Sequence, residues 1–412
     1  MQTLYILLVL LLLTRVFGEI AERCKQPPLV GELLSGVALG VVVGYFGRDL
    51  PVLSGLVDNE VFLALTDLGV FFLMLHAGIA LRPKELAESS GSAFLVAIGG
   101  MVVPMASGMG LAWIFIPQSE VWLAQALFLG VSLAITAVPV AVRILMDMGR
   151  LESKVGRMIL SAAVFDDILS LVLLAILTSV LSTGGFPSGG ELAMLGLRVG
   201  GFFLIMMAMG LWVLPRLGNL VRRLHSDELD FSFVLLAGLA AGVLAEYLDM
   251  HFLIGAFVVG LFFGRSTIDE EAFEAVRARI SGISTGFLAP IFFASIGLHL
   301  DLGAVTGAPI FLATLLFVAF GGKLLGCGLT ARWTGLGNRE STAVGIAMSA
   351  RGAVELIIAD VALRAGLFSK PDPVPTVVAN LFSAIVFMAL ATTLATPILL
   401  RMTLKKGPEA ED

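Results

Sequence analysis

The chain has 412 residues, 58% of them hydrophobic and 14% charged, with a formal net charge of -6 at pH 7 and a mean hydropathy of +0.98. A soluble domain carries charge on about a quarter of its residues, so this composition excludes a soluble protein and leaves an integral membrane protein whose small net charge says little about partners. The two cysteines, Cys24 and Cys327, have neither disulfide nor metal-ligand spacing. Apolar runs long enough to cross about 30 Å of hydrocarbon as helix fall near residues 2–20, 28–46, 60–81, 92–116, 121–146, 153–182, 190–216, 229–248, 251–265, 284–300, 309–333, 340–366 and 374–401. They predict an all-α membrane protein of about thirteen transmembrane helices. The first run, LYILLVLLLL, resembles a signal-peptide core, but no basic residue precedes it and no A-x-A-like cleavage site follows, which favours a first span. Between the ninth and tenth runs, DEEAFEAVRARISG (269–282) is charged and reads as a cytoplasmic connector helix.

Lys and Arg accumulate on the cytoplasmic side of membrane proteins. An odd span count with the N-terminus outside and the C-terminus cytoplasmic puts Arg23, Lys25, Arg82, Lys84, Arg150, Lys154, Arg222, Arg223, Arg277, Arg279, Lys405 and Lys406 inside. Arg48, Arg198, Arg364 and Lys370 are left near outer loops. The chain closes on a short polar tail, so the reading is a single membrane transport domain, 1–412, without a soluble regulatory domain.

PLVGELLSGVALG (28–40) and FLIGAFVVGLFFG (252–264) share glycine spacing: Gly31, Gly36 and Gly40 against Gly255, Gly260 and Gly264. FFLMLHAGIAL (71–81) aligns loosely with IFFASIGLHL (291–300), which extends the match into the third and tenth spans. Small residues at fixed spacing also arise from ordinary helix packing in membranes. The paired spans run in opposite directions, however, which points to inverted repeats at 2–182 and 229–401 around a linker helix at 190–216, an architecture of secondary transporters.

In such repeats the ion site lies near mid-membrane, beside interrupted helices. The fifth span, VSLAITAVPVAVRIL, has Pro139 in its middle, and proline removes a helical hydrogen bond. The twelfth, GIAMSARGAVELIIA, places Gly352 next to Arg351, with Glu355 one turn later. Taken alone, each also admits a plain proline kink or a structural ion pair, as the less favoured reading. The sixth span, AAVFDDILSLVLLAI, sets Asp166 beside Asp167 in an otherwise apolar run, and the eleventh, FVAFGGKLLGCGL, adds Lys323. Ionisable groups at membrane depth cost at least about 2.5 kcal/mol each on insertion scales. Desolvation and a like-charged neighbour both make a carboxylate hold its proton more tightly, so a paired acid of this kind can carry either a proton or a small cation. A lysine nearby neutralises one acid and leaves the other available. A buried ion pair that only fixes packing needs one aspartate, not two.

Together QPPLVGELLSGVALG, ITAVPVAVRILMDMGRLESKVGRMILSAAVFDDILSLVLLAI, FFASIGLHLDL and SARGAVELIIA resemble, in order and over nearly the whole chain, the membrane domain of the monovalent cation:proton antiporter superfamily, in the branch of bacterial sodium/proton antiporters and potassium efflux systems. The resemblance implies a homodimer of thirteen-helix protomers in a bacterial inner membrane. Each protomer has a dimerisation domain and a core domain that moves like an elevator, with two crossing broken helices beside the aspartates. It also implies that Asp167 is the main cation and proton carrier, with Asp166 the partner of Lys323. Thr136 would be a nearby ligand, and Arg351 and Glu355 would balance charge at the crossing. Two departures stand out. Ala137 occupies a position where some relatives have an aspartate, and Asp67 in the third span stands where relatives commonly carry Glu, as a possible accessory acid. His76 in the same span reads as a packed side chain.

The expected activity is secondary active antiport of sodium or lithium against protons, electrogenic if Lys323 also titrates. It is not an enzyme, and it needs no cofactor and binds no nucleic acid. Its partners are the transported cations and protons, the lipid membrane and a second copy. A potassium/proton antiporter has the same site chemistry. A cation channel fits less well, because a channel needs weak serial sites along a continuous pore. A membrane-embedded enzyme lacks a nucleophile or metal-ligand cluster beside the carboxylates.

Overall fold

The computed structural model describes residues 2–404 apart from 25, 47–52, 54, 57–58, 81–90, 137–144, 146–149, 151–152, 184–188, 222–227, 249, 264–269 and 302. Among the described residues there is no strand, and the helices in chain order are α1 (Gln2–Arg23), α2 (Pro28–Phe46), α3 (Glu60–Ala80), α4 (Gly91–Phe115), α5 (Trp122–Ala134) and α6 (Lys154–Thr183). Next come α7 (Gly189–Ala208, a π-helical turn Met209–Val213, then Leu214–Val221), α8 (Leu229–Tyr247) and α9 (Phe252–Phe262). Two further interrupted helices follow: α10 (Glu270–Ile283, π turn Ser284–Leu288, Ala289–Leu298) and α11 (Pro309–Lys323, π turn Leu324–Gly328, Leu329–Trp333). The chain finishes with α12 (Asn338–Ala347), α13 (Ala353–Arg364) and α14 (Leu381–Leu404).

Ten of these are long and apolar enough to cross a membrane, while α5 and α9 are shorter apolar helices. The twelfth apolar run is split into α12 and α13 by the non-helical stretch 348–352. The fifth run stops being helical at Ala134, and Pro139 lies outside the described residues. The segment expected to form a separate connector is instead the polar first half of α10. Val276 and Ile280, one turn apart, are buried and give it an apolar stripe against α3 and α8. The last span begins at Leu381 rather than 374: Pro371, Pro373 and Pro375 keep the chain before Thr376 out of helix, and a single helical turn, Thr376–Ala379, ends at Asn380 before the long helix starts.

The chain forms two compact units, each drawn from two stretches: residues 1–84 with 187–299, and 85–186 with 300–412. In the first unit the glycines are the contact points. Gly36 of α2 meets the Ala294 backbone of α10, and Gly297 of α10 meets Leu33 and Gly36 in return. Gly260 of α9 and Gly78 of α3 form the matching crossing. Gly31 closes on α1 at Phe17, and Gly255 closes on α8 at Ala241, again in the same manner. Any Cβ at these places would overlap a backbone, so close approach, which drives helix association in lipid, explains why both stretches carry glycine at the same spacing. Gly264 lies outside the described residues.

The second unit packs α4 against α5, α6 and the π turn of α11, and α12 against α14 and the same π turn. Gly99 touches Gly326, and Gly100 leaves room for Cys327 and the tip of Lys323. Lys323 therefore enters the unit beside a glycine, at the last position before the π turn.

Candidate functional site

An α-helix ends with four carbonyls that have no helical partner, and the end carries partial negative charge that favours cations. The end of α5 is buried inside the second unit, so protein groups must satisfy it. After Ala134 the backbone turns extended at Ile135 (φ -75, ψ 150). Two buried cations take up the exposed carbonyls. Arg351 Nη1 donates to the Ser132 carbonyl at 3.1 Å and to that of Ile135, and Nη2 donates to Leu133 at 2.7 Å. Lys323 Nζ donates to the Ala134 carbonyl, to Thr136 Oγ1 at 2.6 Å, and to Asp166 Oδ1 at 3.4 Å.

The interruption between α12 and α13 supplies the other side. Thr136 Oγ1 donates to the Met348 carbonyl at 3.1 Å, and Thr393 Oγ1 of α14 donates to the Arg351 carbonyl at 2.7 Å. Non-helical backbone at membrane depth is tolerated only where protein satisfies its polar groups, and these two hydroxyls do so. Thus α5 runs into the crossing with its carbonyl end while α13 leaves it with its amide end, and Arg351 ties the two together.

Thr136, Asp166, Lys323, Arg351 and Glu355 are all buried and belong to this one unit. Asp166 Oδ2, Ser132 Oγ and both Glu355 oxygens have no hydrogen-bond partner among the described residues. Arg351 Nε stands 3.8 Å from Glu355 Oε2. Asp167 follows Asp166 on α6, but its side chain lies outside the described residues, as does Ala137. Asp67 and His76 are half-buried on α3 in the first unit. No group of three or more His, Cys, Asp or Glu side chains with metal-site geometry occurs among the described residues.

Several participants carry no readable signal in the sequence. The carbonyls of Ser132, Leu133, Ala134 and Ile135 become ligands only because α5 stops there, and Thr393 is one of several threonines on α14. Glu32 is another buried acid, 4.0 Å from Arg15 on α1 in the first unit. Its apolar surroundings in LVGELLSG could have marked it.

Chemically, a carbonyl, a hydroxyl and a carboxylate converge on one ammonium. Oxygen donors at unwound helix ends are what membrane transporters use for sodium and protons.

The family model "Sodium/hydrogen exchanger, transmembrane" matches residues 7–406. The chain is 30% identical over 395 residues to the Na(+)/H(+)-K(+) antiporter GerN of Bacillus cereus, covering 96% of this chain and 94% of that protein. It is 27% identical over 407 residues to a Na(+)/H(+) antiporter of Enterococcus hirae, covering 98% and 99%. The sodium proton antiporter MjNhaP1 of Methanocaldococcus jannaschii shares the fold, with a TM-score of 0.69 and 18% identity over 98% of this chain and 99% of that one.

Proposed function

The chain belongs to the sodium/hydrogen exchanger family, integral membrane antiporters of monovalent cations and protons, and from that premise we propose that it exchanges sodium or lithium for protons at Asp166, Asp167 and Thr136. The observation that carries this reading is the convergence of the Ala134 carbonyl, Thr136 Oγ1 and Asp166 Oδ1 on the Lys323 ammonium. Those are hard oxygen donors already gathered around one positive charge. A sodium ion that takes the place of the ammonium meets the same donors and Asp166 Oδ2, and it exchanges against the proton carried by Asp167. The displaced lysine, left near a second cation in a buried site, sheds its proton. On the return limb Asp167 and Lys323 carry protons back.

Alternating access then needs the site to face one side at a time. In our reading the unit containing α4–α6 and α11–α14 is the moving core, and the unit with the glycine crossings is the static, dimer-forming part. Support comes from the packing: α2 pairs with α10 and α3 with α9 through matching glycines, as inverted repeats require. The N-terminus is outside and the C-terminus cytoplasmic, in a bacterial inner membrane.

Proton flux in proteoliposomes driven by sodium, lithium or potassium gradients tests the assignment. Sodium and lithium should drive flux in the wild type, and Asp167→Asn should abolish it while the protein stays folded. Wild-type flux in that variant would overturn the site. Flux driven by potassium alone would establish the potassium/proton reading, which the name of GerN supports.

A further inference from the structure

Glu355 lies in the first turn of α13 with no exposed surface, and neither of its carboxylate oxygens has a hydrogen-bond partner among the described residues. Among the described residues Arg351 is the cation within ion-pair range. Its Nη1 and Nη2 are committed to the carbonyls of α5, and its Nε stands 3.8 Å from Glu355 Oε2. A charge-assisted hydrogen bond is about 2.7–2.9 Å long. The guanidinium therefore caps a helix and only borders the acid. An ionised carboxylate buried without hydrogen bonds is costly, and a group so placed neutralises instead.

The same contacts connect Glu355 to the ion site. Asp166 and Lys323 meet at the end of α5, Arg351 grips the same four-residue stretch, and Glu355 borders Arg351. The charged groups acting on Glu355 are Arg351 and Lys323. The helices packed on α13 add none nearby: α5 has no titratable residue, and α14 carries only Arg401, close to its far end.

We propose that Glu355 is a proton-carrying group of the exchange cycle rather than the fixed counter-charge of Arg351. It holds a proton while the Asp166–Thr136 site is free of sodium and releases it when sodium enters. The step is balanced: the carboxyl O–H bond breaks, the electron pair stays on the carboxylate, and the proton leaves to water along the path that admits sodium, in addition to the protons given up by Asp167 and Lys323. This rests on the sodium/proton reading above.

The test uses the full chain in detergent, with sodium chloride added in the presence of a pH indicator to count protons released per sodium bound. Wild type should release one proton more than Glu355→Gln, and the apparent sodium affinity of the variant should lose about tenfold of its change per pH unit. Its melting temperature should match wild type, because glutamine reproduces the shape of a protonated carboxyl, and Glu355→Asp should restore the release. Equal proton counts in wild type and Glu355→Gln overturn the proposal, as does a steep fall in melting temperature with release unchanged, the mark of a counter-charge. If wild type itself releases no proton on sodium addition, the sodium/proton reading falls and the proposal with it. Should Glu355→Gln fail to fold, infrared difference spectra decide: the protonated-carboxyl band lost on adding sodium must shift between wild type and Glu355→Asp, and an unshifted band overturns the proposal.

Discussion

Lys323 Nζ and Asp166 Oδ1 lie 3.4 Å apart with neither side chain exposed, yet the ammonium sits closer to Thr136 Oγ1, at 2.6 Å, and to the Ala134 carbonyl. The lysine is held by the end of α5 more than by the acid. Asp166 Oδ2 has no hydrogen-bond partner among the described residues, which is the condition of a group that can accept another cation.

That asymmetry sets the expected cost of Asp166→Asn. Removing one partner of a well-made buried pair destabilises by about 3–5 kcal/mol because a charge is left alone. Here Lys323 retains two acceptors, so the loss should be nearer about 1–3 kcal/mol, the range for one unsatisfied buried group. Thermal or denaturant unfolding in detergent measures it, and a loss of the larger size would mean that Asp166 is the main anchor of Lys323.

Arg351 makes three hydrogen bonds to α5 from one planar group. Lysine is a point charge with a different donor geometry, so Arg351→Lys should leave at least one of the three carbonyls unpaired and cost about 1–3 kcal/mol. Sodium-driven proton flux should fall with it, since Ala134 and Thr136 sit on the same stretch. A variant with unaltered flux and unfolding would show that the end of α5 is held by other contacts.

The glycine crossings give a prediction with its own control. A Cβ at Gly36 would overlap the Ala294 carbonyl, whereas at Gly44, two turns on, no atom stands within 4 Å. Gly36→Ala should therefore destabilise by about 1–3 kcal/mol, as overpacking does. Gly44→Ala should be neutral or slightly stabilising, because alanine is the better helix former. The two melting temperatures, measured in one detergent, check the pair; equal shifts would contradict the close approach of α2 and α10.

How far the sequence carries this protein depends on which groups hold it together. Asp166, Lys323, Arg351 and Glu355 are conspicuous because charge is rare in apolar helices, and the break at Gly352 shows as an Arg-Gly pair in a hydrophobic run. Gly36 and Gly260 show through their spacing. Backbone is different. The Ser132–Ile135 carbonyls have no side-chain signature, and they become a cation-binding end only when α5 stops at Ala134 and α12 and α13 meet it. The first half of α10 was concealed for a related reason: its charges mask the two buried residues, Val276 and Ile280, that make it part of a longer helix.

The role of Lys323 decides the charge moved per cycle. If sodium takes over the oxygens of Ala134, Thr136 and Asp166, the lysine loses its acceptors together with its proton, and both return only when sodium has left. Two protons carried by Asp167 and Lys323 against one sodium ion then move net charge, and each charge is worth about 2.3 kcal/mol per 100 mV of membrane potential. Any further proton released by Glu355 adds to that charge. Wild-type flux in proteoliposomes should respond steeply to a valinomycin-set potential under a fixed sodium gradient. Lys323→Gln cannot titrate but can still donate to Thr136 and Ala134, so it should fold and carry one proton fewer per sodium, with a correspondingly weaker voltage response. Melting temperatures establish that the variant is intact before flux is compared. An unchanged voltage response in Lys323→Gln would reduce Lys323 to a fixed charge that pins the end of α5, with protons carried by the acids alone.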